Sequence, residues 1–127
     1  MCLEIDESVK SLNKRIVWKV FDKSGPNDAT ASLFQSYVYP RIGVQVERSH
    51  DSDSPFYTES DGSRIGREGL HFYLSKARAL SEAKSWRDSF IARFEVDPAD
   101  FMFSNGADEA MYERATRVGP YIRVRGK

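Results

Sequence analysis

The chain has 127 residues, 40% hydrophobic and 13% aromatic, which is typical of one globular domain and excludes a disordered chain. Nineteen basic residues balance nineteen acidic ones, so no net charge steers the molecule toward nucleic acid or an anionic membrane. The single cysteine, Cys2, excludes an internal disulfide and predicts a cytoplasmic location, and no apolar run approaches the roughly 20 residues of a membrane span.

The first half of the chain predicts two strands and a long connection. Residues 1–14 are interpreted as a polar N-terminal lead, and residues 15–127 as a single domain. Residues 16–21 are β-branched and aromatic with apolar side chains on both faces, which predicts a central strand. Residues 33–39 are apolar and aromatic, and residues 42–47 alternate as a strand with one wet face. Residues 48–68 are polar and rich in turn formers, which predicts a long functional or mobile loop.

The second half predicts strands that alternate with short helices. Residues 70–74 form a strand with Leu70, Phe72 and Leu74 on the core face, and Ser75 is a good N-cap for a helix over residues 76–86. A strand over 90–96 ends before Pro98, residues 107–115 suit a weak helix, and residues 121–125 alternate as a last strand. The predicted fold is therefore α+β, with about five mostly antiparallel or mixed strands and two or three short helices.

The common catalytic and nucleotide-binding motifs are absent. The sequence contains no P-loop, GxGxxG, HExxH, CxxC or GxSxG pattern. One cysteine and two histidines exclude the usual thiolate zinc site. The carboxylates of Asp51 and Asp53, beside His50, lack the oxygen spacing of a calcium loop and are interpreted as a solvated loop. These features predict no metal site and favour a binding protein over an enzyme.

His71 and Tyr73 are the pair that we predict for a site. They are two residues apart on a strand, so they project from the same face, opposite Leu70 and Phe72. Facing a cleft, an imidazole beside a phenol can serve as an acid–base centre or hold a ligand. The alternative is that both pack beneath the 48–68 loop with their polar tips in water.

The C-terminal segment has a basic strip with an aromatic residue. No acid follows Glu113, and a phosphate or partner contact is predicted for Arg117, Tyr121, Arg123 and Arg125. The alternative is that these residues form a solvated face whose positive charges balance the acids of residues 47–68.

Residues 69–101 resemble the middle of small ADP-ribosyltransferase-like domains. The resemblance rests on GLHFYLS, an alanine-containing helix and ARFEVDP. It implies NAD as cofactor, with Tyr73 or Ser75 near the nicotinamide, His71 close by, and Glu109 or Glu113 as the catalytic glutamate. The first strand reads VWKVF where that family offers histidine or arginine, so an inactive relic that binds a nucleotide is the alternative.

A broader resemblance is to small proteins of bacteria and their phages. It rests on Met1-Cys2, VWKVF at residues 17–21 and GLHFY at residues 69–73. It implies a bacterial or phage-type binding or accessory protein that acts by contact with a macromolecular partner, here expected to be a protein, without a cofactor. The alternatives are the ADP-ribosyltransferase-like enzyme and nucleic-acid binding through the C-terminal basic strand.

Overall fold

The computed structural model describes residues 3–22, 31–32, 42–48, 54–86 and 88–126. The apolar segment at 33–39, the acidic cluster at 50–53 and Cys2 lie outside the described residues. The strands are β1 (Leu3–Glu4), β2 (Ile16–Asp22), β3 (Ala31–Ser32), β4 (Gln45–Glu47), β5 (Phe56–Thr58), β6 (Arg64–Gly66), β7 (Leu70–Tyr73), β8 (Asp88–Glu95), β9 (Phe101–Ser104), β10 (Glu109–Tyr112), β11 (Arg114–Arg117) and β12 (Ile122–Arg125). The helix α1 spans Lys76–Lys84, and a 3-10 turn spans Pro98–Asp100.

The prediction of an α+β fold with five strands and several helices is wrong, because this part of the chain is mostly strand with a single α-helix. The largest error is at residues 107–115, where the residues of the predicted weak helix form β10 and the start of β11 instead. β10 is paired along both edges, with β7 and β9. Tertiary pairing of this kind outweighs intrinsic helix propensity, which is at most about 0.7 kcal/mol per ordinary residue.

Most strands belong to one antiparallel sheet in the order β4-β11-β8-β2-β7-β10-β9. β12 pairs with β8 beyond the end of β11, and β3 pairs with β2. The predicted central strand at residues 16–21 is confirmed, because β2 lies between β8 and β7. The predicted strands at residues 70–74 and 121–125 are confirmed as β7 and β12.

The large sheet bends back on itself at Glu113. This residue alone separates β10, which pairs with β7, from β11, which pairs with β8. The pairing of β10 with β9 shifts its register between Met111 and Tyr112. Ala110, Tyr112 and Ala115 nevertheless all lie in one core cluster. The curled sheet therefore encloses a core on its concave face.

The sheet buries a core on each face. The concave core contains Val17, Phe21, Leu70, Phe72, Ala92, Phe94, Val96, Ala110, Tyr112 and Ala115. On the convex face, Ala79 and Ala83 of α1 pack against Val20, Tyr73, Ile91 and Val124. The predicted N-cap is confirmed, because the Ser75 hydroxyl accepts from the Arg78 amide at 3.1 Å. No helix within the described ranges is long and apolar enough to cross a membrane.

A second, three-stranded sheet forms one wall of a cleft. Its order is β1-β6-β5, so the N-terminal lead pairs with a hairpin from residues 54–68. Part of the predicted 48–68 loop is thus a β-hairpin, whose strands are too short and polar to show a clear alternation. Gly66 allows this sheet to approach the large one, because a Cβ there would lie 2.7 Å from the Met111 sulfur.

Candidate active or binding site

His71 and Glu109 meet on neighbouring strands. His71 is opposite Met111 in the β7–β10 pairing, and Glu109 is opposite Tyr73, so all four residues share one face of the sheet. Diagonal neighbours on such a face are within reach of long side chains. The His71 Nε2 atom lies 2.7 Å from Glu109 Oε1, and only 2% of His71 is exposed. The structure thus brings together two of the residues predicted for a site.

The turn between β9 and β10 holds the second oxygen of Glu109. The Asn105 amide donates to Glu109 Oε2 at 3.0 Å. The Asn105 side-chain oxygen accepts from the backbone amides of Ala107, Asp108 and Glu109, which fixes the turn. Gly106 has φ of 82°, a left-handed conformation that favours glycine. Both oxygens of the Glu109 carboxylate are therefore positioned before any ligand arrives.

Lys19 lies behind this pair, inside the curled sheet. Its amine donates to the His71 carbonyl at 2.7 Å and lies 5.2 Å from the centre of the Phe72 ring. Only 3% of Lys19 is exposed, and burial lowers the pKa of its amine to about 7. Burial also lowers the pKa of His71, whereas the hydrogen bond that the Glu109 carboxylate accepts from the ring raises it. The lowered pKa values favour the neutral form of both groups.

A cleft of about 710 Å³ opens in front of Glu109. Its lining is Leu3, Glu4, Ile5, Asp6, Glu7, Gly62, Ser63, Arg64, Asn105 and Glu109. Four of these residues are acids and one is an arginine, and that Arg64 already pairs with Glu7 at 2.8 Å. The Glu109 side chain is 19% exposed, so the carboxylate held by His71 is accessible from the cleft.

Tyr73 and Ser75 serve the helix rather than this cleft. The Tyr73 hydroxyl donates to Glu82 at 3.2 Å, and the Arg78 guanidinium lies 4.9 Å from the ring centre. Burial, followed by the charge of Glu82, raises the pKa of Tyr73. Ser75 uses its hydroxyl as the N-cap of α1. Neither residue is among the cleft-lining residues.

Glu113 and Glu95 lie apart from His71. Glu113 follows β10 at its opposite end, and its carboxylate is 3.6 Å from Arg48 Nε. Glu95 is exposed on β8, which β2 separates from β7. Among the three described glutamates at positions 95, 109 and 113, Glu109 is the one in contact with His71.

The C-terminal basic strip is divided by the fold. Arg123 pairs with Asp88 at 2.9 Å, and Arg125 is exposed. Arg117 is instead buried, with 9% exposure, and its guanidinium lies 4.0 Å from the centre of the Tyr121 ring. Its Nε and Nη1 atoms have no hydrogen-bond acceptor among the described residues. Burial of an unpaired charge costs several kcal/mol, whereas a desolvated cation–π contact returns about 2 kcal/mol.

Several site residues were missed by sequence reasoning. Lys19 had a usable signal, because it shares a strand face with Val17 and Phe21 in a strand otherwise apolar on that face. Asn105 and Gly106 form a pair typical of a turn, which by itself does not predict a contact with Glu109. Asp6 and Arg64 approach the site through pairing of the lead with β6, which leaves no local pattern.

Comparisons with protein-family models, curated proteins and solved structures give no match to this chain. Among the described residues, no group of three or more histidine, cysteine, aspartate or glutamate side chains is arranged to hold a metal ion.

Proposed function

We propose that this chain is a binding protein whose acidic cleft accepts a positively charged group of a macromolecular partner, most simply a lysine or arginine side chain of a protein. The observation that carries the proposal is the cleft lining, with four carboxylates against a single, already paired arginine. A bacterial or phage origin and a cytoplasmic location stay predictions from the sequence.

The charge of the cleft matters because the whole chain is neutral. With nineteen residues of each sign, long-range attraction gives no preference between partners. Clefts lined by one sign of charge concentrate the field, so the local excess of acids selects cationic groups. Glu109 adds a carboxylate that His71 and Asn105 hold in place, which reduces the ordering cost when a cation binds.

A peptide titration tests this proposal. Tripeptides that contain lysine or arginine are added to the ¹⁵N-labelled chain. Tripeptides that contain glutamate serve as the matched control ligands. We expect saturable shifts of the amides around Glu4, Arg64 and Glu109 with the basic peptides, weakening as salt increases. Binding by Glu4→Gln/Glu109→Gln should fall at least tenfold, whereas Glu95→Gln on the far strand should bind normally. Equal responses to basic and acidic peptides would contradict the proposal.

A second candidate is an ADP-ribosyltransferase-like enzyme or a nucleotide-binding relic. It is supported by the accessible carboxylate of Glu109, held between His71 and Asn105, which suits stabilisation of positive charge that develops on a ribose. Glu113 has no such setting, because its carboxylate faces Arg48. The excess of acids in the cleft lowers the expected affinity for a pyrophosphate.

Calorimetry with NAD and ADP-ribose separates the two candidates. The enzyme predicts binding at millimolar ligand and release of nicotinamide, which Glu109→Gln abolishes and Glu113→Gln preserves. Binding without turnover indicates the relic, and absence of heat for both ligands removes this candidate while leaving the peptide result unaffected. Nucleic-acid binding is not favoured, because Arg123 is paired and Arg117 is buried.

A further inference from the structure

We propose a second binding site in this protein, in which Arg117 and Tyr121 hold a compact oxyanion, a phosphate or a carboxylate. The site lies on β11 and the turn that follows it, whereas the acidic cleft lies at the start of β10. It is therefore independent of the proposed cationic partner and takes a ligand of the opposite charge.

The first step is the unsatisfied guanidinium. Only 9% of Arg117 is exposed. Two of its nitrogens have no hydrogen-bond acceptor in the described part of the chain. It also forms no ion pair with a described acid, in contrast to Arg114, which contacts Glu47 and Asp100. A buried cation with free donors is the complement of an oxyanion, whose oxygens accept from guanidinium nitrogens.

The second step is the rigidity of the setting. The Arg117 backbone is paired with Phe94 on one edge, and its carbonyl accepts from the Gly43 amide at 2.9 Å on the other. Its guanidinium lies over the Tyr121 ring. That ring makes T-shaped contacts with Phe21 and Phe90, with centroids 5.3 Å and 6.2 Å apart. The donors are therefore fixed against an aromatic floor, which lowers the cost of ordering the guanidinium when an anion binds.

Thermal unfolding with inorganic phosphate tests the site. The wild type is compared with Arg117→Met, Arg117→Lys and Arg125→Met, the last being a matched charge loss at an exposed position of β12. Sodium chloride at equal ionic strength is the reference, and sodium acetate tests the carboxylate. We expect phosphate or acetate, at about five times its Kd, to raise the Tm of the wild type and of Arg125→Met by roughly 2–4 °C. The Tm of Arg117→Met should not respond, and that of Arg117→Lys should respond weakly.

A spectroscopic readout covers the case in which Arg117→Met fails to fold. The Nε–H resonance of Arg117 in the wild type should move saturably with phosphate or acetate and remain still with chloride. Motion with phosphate alone identifies a phosphate site, and motion with acetate alone identifies a carboxylate site. The proposal is overturned by a still resonance with both anions, or by an equal Tm response in Arg117→Met and Arg125→Met.

Discussion

Lys19 is a lysine buried in the core, with only 3% of its surface exposed. It shares the inner face of β2 with Val17 and Phe21, and burial lowers the pKa of its amine to about 7 from 10.5. Between these two pH values the unfolded chain binds a proton that the folded chain lacks. The free energy of unfolding therefore rises with pH across this window.

Replacement of Lys19 by methionine should remove that rise. We expect the wild type to gain on the order of 2 kcal/mol between pH 7 and pH 9.5 relative to Lys19→Met, measured by urea unfolding at both values. Lys76→Met is the control, because Lys76 is exposed on α1. In this variant the free energy of unfolding should change with pH as in the wild type. Equal slopes in all three proteins would show that the Lys19 amine is not titrated in this range.

The contact between His71 and Glu109 can be measured through the histidine. The hydrogen bond and charge of Glu109 raise the His71 pKa against a larger lowering by burial. Glu109→Gln should therefore lower the His71 pKa further, as followed by the ring-proton chemical shifts in an NMR titration. Glu113→Gln should leave it unchanged, because that carboxylate contacts Arg48. A His71 pKa that is the same in Glu109→Gln and the wild type would contradict the pairing.

At the scale of elements, the start of α1 depends on its N-cap. Its first turn contains no acid, so the Ser75 hydroxyl is the group that satisfies the Arg78 amide. Ser75→Ala should lower the free energy of unfolding by about 1 kcal/mol in urea. Ser81→Ala, on the exposed middle of the same helix, should be neutral or slightly stabilising through helix propensity. Equal losses in the two variants would argue against the cap.

The Asn105–Asp108 turn couples the cleft wall to Glu109. A Cβ at Gly106 would overlap the Asp6 carboxylate, and the Asp6 amide donates to the Ser104 carbonyl at 2.8 Å. Gly106→Ala should therefore destabilise the chain by more than the roughly 1–2 kcal/mol of a left-handed alanine. Gly62→Ala is the matched control, because Gly62 has φ of 91° and open space around its Cα. Similar losses in the free energy of unfolding for the two variants, measured by chemical denaturation, would show that Asp6 moves away from Gly106 without a cost in stability.

The elements that sequence reasoning found are those with a strong local pattern. β2, β7 and the N-cap of α1 follow from β-branched runs, alternation and a serine before a helical period. The helix predicted over residues 107–115 is wrong, since β10 and the start of β11 form strands that depend on partners distant in the chain. The sequence predicts both His71 and Glu109 as site residues, but their contact depends on the β7–β10 register, which cannot be predicted when residues 107–115 are expected to be helical.

At the scale of the whole molecule, stability should be graded from the middle of the large sheet outward. β2 and β8 are paired along their length and carry core residues on both faces. β5 and β6 belong to a three-stranded sheet of short strands. Hydrogen exchange followed by mass spectrometry should show the slowest amides in β2 and β8 and markedly faster ones in β5 and β6. Equal protection of both regions would indicate a single cooperative unit.

The bend at Glu113 also determines which side chains of β11 point into the core. Before it, the even-numbered Ala110 and Tyr112 enter the core; after it, the odd-numbered Ala115 does so, and Arg117 is buried with it. An uninterrupted strand would keep one parity, with Thr116 inside and Arg117 in water. One irregular residue thus decides on which side of the sheet a positive charge lies, so an insertion or deletion at this position would exchange the inner and outer faces of β11.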